Sequence, residues 1–453
     1  MLSVSAALIP VLYWNMSANN GVNLPCNLAK RGIMISVGIE AINAFCGTSH
    51  INVRDLAQHR QLDISRFDNL LMKQKTVSLP CEDPVSFAVN AAKPILDALS
   101  DAEKNSIELL ITCTESGIDF GKSLSTYVHH YLGLKRNCRL FELKTACYSG
   151  VAGLQMAVNT ILSQTSPGSK ALVIATDMTR FILEEGNAAT TRQDWSFAEP
   201  SGGSGAVAML VSDSPHVFQI DVGANGYYGY EVMDTCRPIP DMETGDSDLS
   251  LLAYLECCEK AYQEYEKRTA DIDYVNTFGY LAFHTPFGGM VKGAHRNMMR
   301  KLVRAAPQDI EADFARRVIP GLNYCQRVGN IMGATLALSL LSTLANADIQ
   351  SAQRIGCFSY GSGCCSEFFS GVVTPESARR VRQMGIGAHL DNRRELTMDE
   401  YDALLYSNQR VSFGTKNVEL DLSLFPQIHA GSRASQRLVL RRINQFHREY
   451  EWV

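Results

Sequence analysis

Apolar positions along the chain alternate between two patterns, which predict strands and helices in turn. Continuous apolar runs such as Ile107–Cys113 (IELLITC) and 170–177 (KALVIATD) have the length and composition of buried strands. Longer segments between them contain the helix-forming pattern. Beginning near Met34, the predicted helices fall at 121–132, 147–163, 250–266 and 289–304, and a further strand falls at 277–284. Such alternation is typical of an α/β protein.

One helix-then-strand unit occurs twice. The helix 328–346 and the strand 354–363 repeat, with similar spacing, the order of the unit that begins at Cys147. Each of the two helices is rich in small residues. Two similar halves of this kind predict an internal duplication and a layered α/β/α/β/α architecture.

We predict four regions along the chain. Residues 34–212 form an N-terminal half, 213–395 a C-terminal half, and 396–453 a helical tail packed on the fold. Residues 1–33 are rich in Asn and Ser and have no clear period. We interpret them as a disordered extension or a start-site artefact.

Composition and charge narrow the possible functions. The 453 residues are 46% hydrophobic and 20% charged, as in ordinary globular proteins, and the net charge of −5 argues against nucleic-acid binding as the main function. The 13 cysteines form no CxxC pair, which favours free thiols in a reducing cytoplasm. The early apolar run 6–14 is too short to cross a membrane. Motifs for metal catalysis, such as HExxH, do not occur.

Cys147 is a candidate nucleophile. It lies in TACYSG, where a helix of small residues is predicted to begin. The positive end of a helix dipole lowers the pKa of a thiol and favours the reactive thiolate, so we expect a lowered pKa here. The alternative is that Cys147 is one of thirteen buried thiols that behave as small apolar residues.

Two further residues follow predicted strands. Glu115 comes directly after the strand that ends at Cys113, at the carboxyl edge where ligands bind in α/β sheets. His284 ends an apolar strand in the segment FHTPFGG, a suitable place for a functional histidine. The alternatives are a solvated or helix-capping carboxylate and a structural histidine.

Two glycine-rich turns complete the set of candidates. The segment SYGSGCC (359–365) can bring a backbone N–H close to a bound carbonyl, as an oxyanion hole requires. The segment EPSGGSGAVAML (199–210) is a turn into a strand. Neither has the spacing of a phosphate loop or a lysine after it, so we reject nucleotide binding.

Together these segments resemble the 3-hydroxy-3-methylglutaryl-CoA synthase family from about Met34 to the C-terminus. The resemblance is carried by CTESGIDFGKS (113–123), ACYSG (146–150), EPSGGSGAVAML (199–210), FHTPFGGMVK (283–292), RVGNIMGA (327–334) and SYGSG (359–363). It implies a thiolase-like, duplicated five-layer α/β/α/β/α fold and an acyltransferase that needs no cofactor beyond the phosphopantetheine arm or coenzyme A of its substrates. It also implies a homodimer.

One branch of the family is more similar still. The segments FELKTACYSG (141–150), YYGYEVMDTCRPIPD (227–241) and NYCQRVGN (323–330) resemble the synthases of polyketide β-branching, which act on acyl groups held on acyl carrier proteins. Coenzyme A-using synthases usually carry a lysine where this chain has Gly289, although Lys292 is near. Carrier proteins are acidic, so a basic cluster of Arg66, Lys73 and Lys75 is a possible docking patch, the alternative being an ordinary solvated face.

The resemblance assigns roles residue by residue. The nucleophile falls on Cys147, the general acid and base on Glu115, and the substrate-positioning histidine on His284. The remaining substrate-binding positions fall on Asn330, Ser362, Gly361 and Ser201, with Asp246 as a weaker candidate. The implied reaction acetylates the cysteine, forms an enolate, and adds that enolate to the β-ketone of a second acyl thioester.

Three alternatives remain at this point. A synthase of primary metabolism uses acetyl-CoA and acetoacetyl-CoA with the same residues. An enzyme of the ketoacyl synthase III type shares a Cys-His-Asn set, but its chemistry needs no carboxylate base such as Glu115. A non-catalytic scaffold that binds carrier proteins would not require Cys147, Glu115 and His284 together.

Overall fold

The computed structural model describes residues 36–182, 198–429 and 436–453. The prediction for residues 1–33 therefore lies outside the described residues. The strands are β1 Gly38–Phe45, β2 Ser49–Asn52, β3 Gln74–Val77, β4 Ile107–Cys113, β5 Arg139–Leu143, β6 Lys170–Met178, β7 Ser204–Ser212, β8 Phe218–Gly229, β9 Thr235–Ile239, β10 Met242–Gly245, β11 Tyr280–Phe283, β12 Gln353–Gly361, β13 Cys365–Val373, β14 Arg394–Glu395, β15 Val418–Glu419, β16 Leu438–Asn444 and β17 His447–Trp452.

Helices cover both faces of the main sheet and connect its strands. The α-helices are α1 Val53–His59, α2 Ile64–Leu70, α3 Pro84–Asp97, α4 Asp101–Asn105, α5 Ser125–Tyr131, α6 Ser149–Leu162, α7 Ser247–Arg268, α8 Gly288–Met298, α9 Pro307–Asp313, α10 Ile319–Val328, α11 Thr335–Asn346, α12 Pro375–Gln383, α13 Ile386–Asp391 and α14 Met398–Ser407. Two π-helical segments, Met299–Val303 and Phe314–Val318, continue α8 and α9. In the described ranges, no helix has both the length and the apolar character needed to span a bilayer.

The strand order confirms the predicted duplication. The first half is ordered β5-β4-β6-β7-β1 and the second β11-β12-β13-β8, so the second half repeats four of the five positions of the first. In both halves the last strand of the sheet along the chain, β7 in the first and β13 in the second, runs antiparallel to its two neighbours. The halves join where β1 pairs with β8, at Gly38 with Gln219 and Ile39 with Phe218.

The apolar residues of each strand divide between two faces, which produces five layers. On β4, Leu109 and Ile111 face the core cluster that contains α6 and α11, whereas Leu110 faces the cluster that contains α3 and α5. The second half repeats this division, because Cys357 faces the central helices and Phe358 faces α7. The order of layers is therefore outer helices, sheet, central helices, sheet and outer helix.

The start of α6 approaches the turn just before α11 very closely. A Cβ atom on Gly150 would lie 2.1 Å from the carbonyl oxygen of Gly333, a distance that real Cβ atoms do not reach. The small residues that the sequence places in both helices are therefore required by packing. This contact holds the start of α6, and with it the segment of Cys147, against the second half.

The C-terminal tail differs from the prediction. A helical tail over 396–453 is correct for α14 and wrong for the end of the chain, where β15, β16 and β17 form an antiparallel sheet. The physical reason is that Leu438, Val439 and Leu440 form a short, continuously buried run without helical spacing, and the backbone of β16 pairs with β15 and β17. The hydroxyl of Tyr450 in β17 donates to Asp83 at the start of α3, which ties the sheet to the first half.

Candidate active site

A cavity of about 940 Å³ opens between the two halves, at the carboxyl ends of β4 and β11. Six of the seven predicted site residues line it. They are Glu115, Cys147, Ser201, His284, Asn330 and Ser362. The seventh, Gly361, packs behind Cys147. The sequence therefore identified residues that are distant along the chain and share one cavity in the fold.

Cys147 lies in a tight turn just before α6. The turn is formed when the backbone N–H of Tyr148 donates to the carbonyl of Thr145, and Ala146 adopts a left-handed conformation with φ of 44°. The helix itself starts at Ser149. The predicted start of the helix at Cys147 is therefore two residues too early. Residues 145–148 form a turn that precedes the helix and directs the sulfur of Cys147 into the cavity.

The expected lowering of the Cys147 pKa is wrong. Burial raises the pKa of this thiol well above its usual value, and the neighbouring carboxylates of Glu115, Asp177 and Glu243 raise it further, whereas Arg237 opposes them. The Sγ atom lies 3.8 Å from Oε2 of Glu115. The resting cysteine is thus a neutral thiol beside a carboxylate that can accept its proton.

Glu115 has the pKa of a group that exchanges protons near neutral pH. Burial raises its pKa from 4.5 to about 7, Asp177 and Glu243 act in the same direction, and Arg237 opposes them. The loop of Glu115 is held by Asp177 at the end of β6, whose Oδ1 accepts hydrogen bonds from the backbone N–H groups of Glu115 and Ser116 at 2.8 and 3.0 Å. The carboxylate therefore has a fixed position beside the sulfur.

His284 presents a neutral imidazole to the cavity. Its backbone N–H donates to Phe358 at 2.8 Å and its carbonyl accepts from the hydroxyl of Tyr254 at 2.6 Å, so both ends of the residue are anchored. Burial lowers the pKa of the ring to about 3. The Nδ1 atom has no hydrogen-bond partner among the described residues, so this ring nitrogen can form a hydrogen bond with a ligand.

Asn330 and Ser201 lie on adjacent segments from the two halves. The backbone N–H of Asn330 donates to the carbonyl of Ser201 at 2.7 Å, and the N–H of Gly203 donates to the carbonyl of Asn330 at 2.9 Å. The side-chain Oδ1 of Asn330 accepts from the N–H of Met332 and from Thr335. This arrangement leaves the amide nitrogen of Asn330 as the group that can donate to a ligand.

The turn of Gly361 and Ser362 contacts the turn of Cys147 directly. A Cβ on Gly361 would lie 2.8 Å from the backbone nitrogen of Tyr148 and 2.9 Å from the carbonyl oxygen of Thr145, so only glycine fits. Asp234 anchors the same turn by accepting hydrogen bonds from Tyr360 at 2.5 Å and from the N–H of Gly363 at 2.9 Å. Ser362 is thereby held at the cavity next to the sulfur.

Sequence reasoning missed several charged residues of the cavity. On the hairpin of β9 and β10, Arg237 pairs with Glu115 and with Glu243. Asp177 and Asp234 support the loops of the site. Arg237 follows directly on TC in a short segment without hydrophobic periodicity, which gives no local signal. Asp246, the weaker candidate, caps the N-terminus of α7 instead, because its Oδ1 accepts from the N–H groups of residues 248 and 249.

Lys75 does not belong to the basic docking patch that the sequence allowed. Lys75 is 2% exposed, donates to the carbonyl of Glu199, and lies against the ring of Phe181. The whole segment from Lys75 to Val77 on β3 is buried, so this side chain has no access to a partner protein. Lys73 is exposed, and the side chain of Arg66 lies outside the described part of the structure.

Close packing against α2 requires glycine at position 289. A Cβ there would lie 2.0 Å from the carbonyl oxygen of Asn69, so no side chain fits unless α2 moves. Lys292 does not compensate within the cavity, because its Nζ pairs with Glu311 at 2.7 Å. Across the residues that the structure describes, no cluster of His, Cys, Asp and Glu has the form of a metal site.

The duplicated five-layer fold, with a cysteine and a carboxylate at one cavity between its halves, defines the class of thiolase-like enzymes. Two family models match the chain, the N-terminal and C-terminal parts of hydroxymethylglutaryl-coenzyme A synthase, over residues 34–215 and 294–450. The chain belongs to the hydroxymethylglutaryl-CoA synthase family, and the predicted family and fold class are confirmed.

The proteins similar to this chain include synthases that act with acyl carrier proteins and one that binds a coenzyme A thioester. The polyketide biosynthesis 3-hydroxy-3-methylglutaryl-ACP synthase PksG of Bacillus subtilis is 64% identical over 420 residues, which cover 93% of this chain and 100% of PksG. The crystal structure of the curacin biosynthetic pathway HMG synthase in complex with acetyl donor-ACP has a TM-score of 0.88 and 66% identity, over 92% of this chain and 100% of that chain. The structure of MvaS in complex with 3-hydroxy-3-methylglutaryl coenzyme A has a TM-score of 0.78 and 29% identity, over 93% and 100% of the two chains.

Proposed function

We propose that this protein condenses a Cys147-bound acetyl group with the β-ketone of an acyl chain held on an acyl carrier protein, in polyketide β-branching. The observation that carries this proposal is the 64% identity, over 93% of the chain, to a 3-hydroxy-3-methylglutaryl-ACP synthase. The 66% identity to a synthase solved with an acetyl donor carrier protein supports it. The coenzyme A-bound MvaS is only 29% identical.

In the first step, Cys147 takes the acetyl group from a carrier thioester. The thiol is neutral at rest, so the attack requires that its proton leave, and the Glu115 carboxylate at 3.8 Å is the nearby acceptor. Glu115 gives that proton to the departing phosphopantetheine thiolate, so the step exchanges one thioester for another and leaves Glu115 ionised. Backbone N–H groups of Cys147 and Ser362 stabilise the oxyanion of the tetrahedral intermediate.

In the second step, Glu115 acts as base and then as acid. It removes a proton from the methyl group of acetyl-Cys147, and the resulting enolate carbon attacks the β-ketone of the acceptor. The protonated Glu115 then gives its proton to the new tertiary alkoxide. A pKa of about 7 suits a group that must accept and return one proton near neutral pH. Water finally hydrolyses the thioester at Cys147 and frees the carboxymethyl branch.

The acceptor is oriented from the opposite wall of the cavity. The neutral ring of His284 and the free amide nitrogen of Asn330 hydrogen-bond the keto and thioester oxygens. Ser201 lies beside Asn330 in the wall of the cavity. No bound cofactor is needed, because the phosphopantetheine arm delivers both acyl groups.

The test compares two pairs of substrates. Acetyl and acetoacetyl groups are offered to the protein either on acyl carrier proteins or on free coenzyme A, and the product is followed by mass spectrometry. We expect turnover with carrier-bound substrates to exceed that with coenzyme A thioesters. Equal or faster turnover with coenzyme A would reassign the protein to primary metabolism, the second enzymatic function that the residues allow.

A further inference from the structure

The hairpin formed by β9 and β10 brings an arginine to the carboxylate beside the nucleophile. The Nε atom of Arg237 lies 3.1 Å from Oε1 of Glu115, and its Nη2 lies 3.3 Å from Oε2 of Glu243. A third nitrogen, Nη1, donates to the hydroxyl of Ser116 at 3.4 Å. One guanidinium group therefore spans two carboxylates and the loop that carries Glu115.

These side chains are largely removed from solvent, so their charges act strongly on each other. The exposed fractions of the side chains are 17% for Arg237, 15% for Glu115 and 22% for Glu243. The groups that face Glu115 come from four places. They are Arg237 on β9, Glu243 on β10, Asp177 at the end of β6, and Cys147 in the turn before α6. Three acidic groups thus surround the cation.

The contact between Arg237 and Glu115 is an ion pair without good hydrogen-bond geometry. The distance of 3.1 Å is short, yet the N–H of Nε is not aligned for a hydrogen bond with the carboxylate and has no other partner among the described residues. By contrast, Nη2 of Arg237 donates a hydrogen bond to Oε2 of Glu243. Arg237 is therefore shared, and Glu243 competes with Glu115 for it.

We propose that Arg237 is a positioning residue for the condensation, which holds Glu115 ionised and aimed at the acetyl group, and that Glu243 limits this effect by drawing Arg237 toward itself. This rests on the role of Glu115 as the base in the proposed function. A nearby cation stabilises a carboxylate and a nearby anion destabilises it, so the two neighbours act in opposite directions. Their balance sets the pH range in which Glu115 can accept a proton.

The experiment measures the rate of one condensation as a function of pH. The protein is first acetylated with acetyl carrier protein and then mixed with an acceptor on its carrier. In Arg237→Gln, we expect the rising part of the profile to move to higher pH by about one to three units, the range for an opposite charge at this distance. In Glu243→Gln, we expect it to move to lower pH. Arg237→Lys, which keeps the charge, should lie closer to the wild type.

A control variant and the comparison of Arg237→Gln with Glu243→Gln distinguish an electrostatic effect from a structural one. Lys144→Gln removes another cation that lines the cavity, but not one in contact with Glu115, and should leave the profile in place. A merely structural role for Arg237 would lower the rate at every pH without moving the profile. Unshifted profiles in both Arg237→Gln and Glu243→Gln, or shifts in the same direction, would overturn the inference.

Failure of the proposed function has a different signature. If the wild type does not condense, or if Glu115→Gln condenses normally, the assignment of the base is wrong. If the wild type condenses and Glu115→Gln does not, while the profiles of the Arg237 and Glu243 variants stay unshifted, only the inference about Arg237 fails. The same assay therefore separates the two.

Discussion

Replacing Gly361 by alanine tests how tightly the two halves hold the nucleophile. The new Cβ would lie 2.8 Å from the backbone nitrogen of Tyr148 and 2.9 Å from the carbonyl oxygen of Thr145, whereas ordinary contacts begin at 3.4 Å. The two turns must therefore separate by about half an ångström. Because the turn from Thr145 to Tyr148 carries Cys147, the sulfur moves with it.

The expected costs follow from that displacement. Overpacking of this kind typically costs about 1 to 3 kcal/mol of folding stability. A misplacement of about 1 Å at a reacting centre costs about 100-fold in rate, so half of it should slow acetyl loading about tenfold. We expect Gly361→Ala to unfold at a lower temperature and to acetylate Cys147 about ten times more slowly than the wild type.

The assay follows acetyl loading by intact-mass spectrometry, alongside a thermal unfolding curve. The control is Gly293→Ala in α8, where the nearest atom to the new Cβ is 4.0 Å away. That variant should load acetyl normally and gain a little stability, since alanine is the better helix former by about 0.5 to 1 kcal/mol. Wild-type loading by Gly361→Ala would refute the claim that this contact positions the sulfur.

Three further predictions concern the walls of the cavity. Folding raises the pKa of Glu115 from 4.5 to about 7, so ionisation of this carboxyl group opposes folding. Glu115→Gln should therefore be more stable than the wild type above pH 7, by about 3 kcal/mol, and should lose this advantage as the pH falls toward 4.5. Thermal melts at several pH values will test this. His284→Ala should lower kcat/KM for the acceptor by about tenfold or more while acetyl loading continues, measured by separate assays of the two steps. Asp177→Asn turns an acceptor into a donor facing the N–H of Gly333 and should destabilise the protein by about 1 to 3 kcal/mol in denaturant unfolding.

Much of the fold was predictable because it depends on local patterns. The apolar runs of β4 and β6 and the small residues of α6 and α11 announce strands and closely packed helices, and their repetition predicts the two halves. The boundaries between regions at 212 and 395, and the homodimer, stay predictions. The sheet at the end of the tail was not predictable, since the buried part of β16 is a run of only three residues, followed by arginines, with no alternation that marks a strand.

The residues of the site were predictable only where they stand next to a helix or strand that the sequence itself reveals. Cys147, Glu115 and His284 each stand at the end of a recognisable element, so the sequence identifies them. Arg237 stands on a short hairpin, and its relation to Glu115, 122 positions earlier, exists only in the folded chain.

The protonation of the site shows the same limit. A helix dipole alone would lower the pKa of the Cys147 thiol, but burial and the carboxylates of Glu115, Asp177 and Glu243 raise it. None of these neighbours is adjacent to Cys147 along the chain. A pKa therefore depends on the folded surroundings of a residue, which local motifs do not describe.

Localising the acetyl group after a single incubation tests the central claim most directly. The wild type, Cys147→Ala and Glu115→Gln are each mixed with acetyl carrier protein, digested, and mapped by peptide mass spectrometry. We predict acetyl on the peptide containing Cys147 in the wild type and in Glu115→Gln, where it persists after acceptor is added, and none in Cys147→Ala. Acetyl attached to another residue, or acetylation of Cys147→Ala to the same extent as the wild type, would contradict the account.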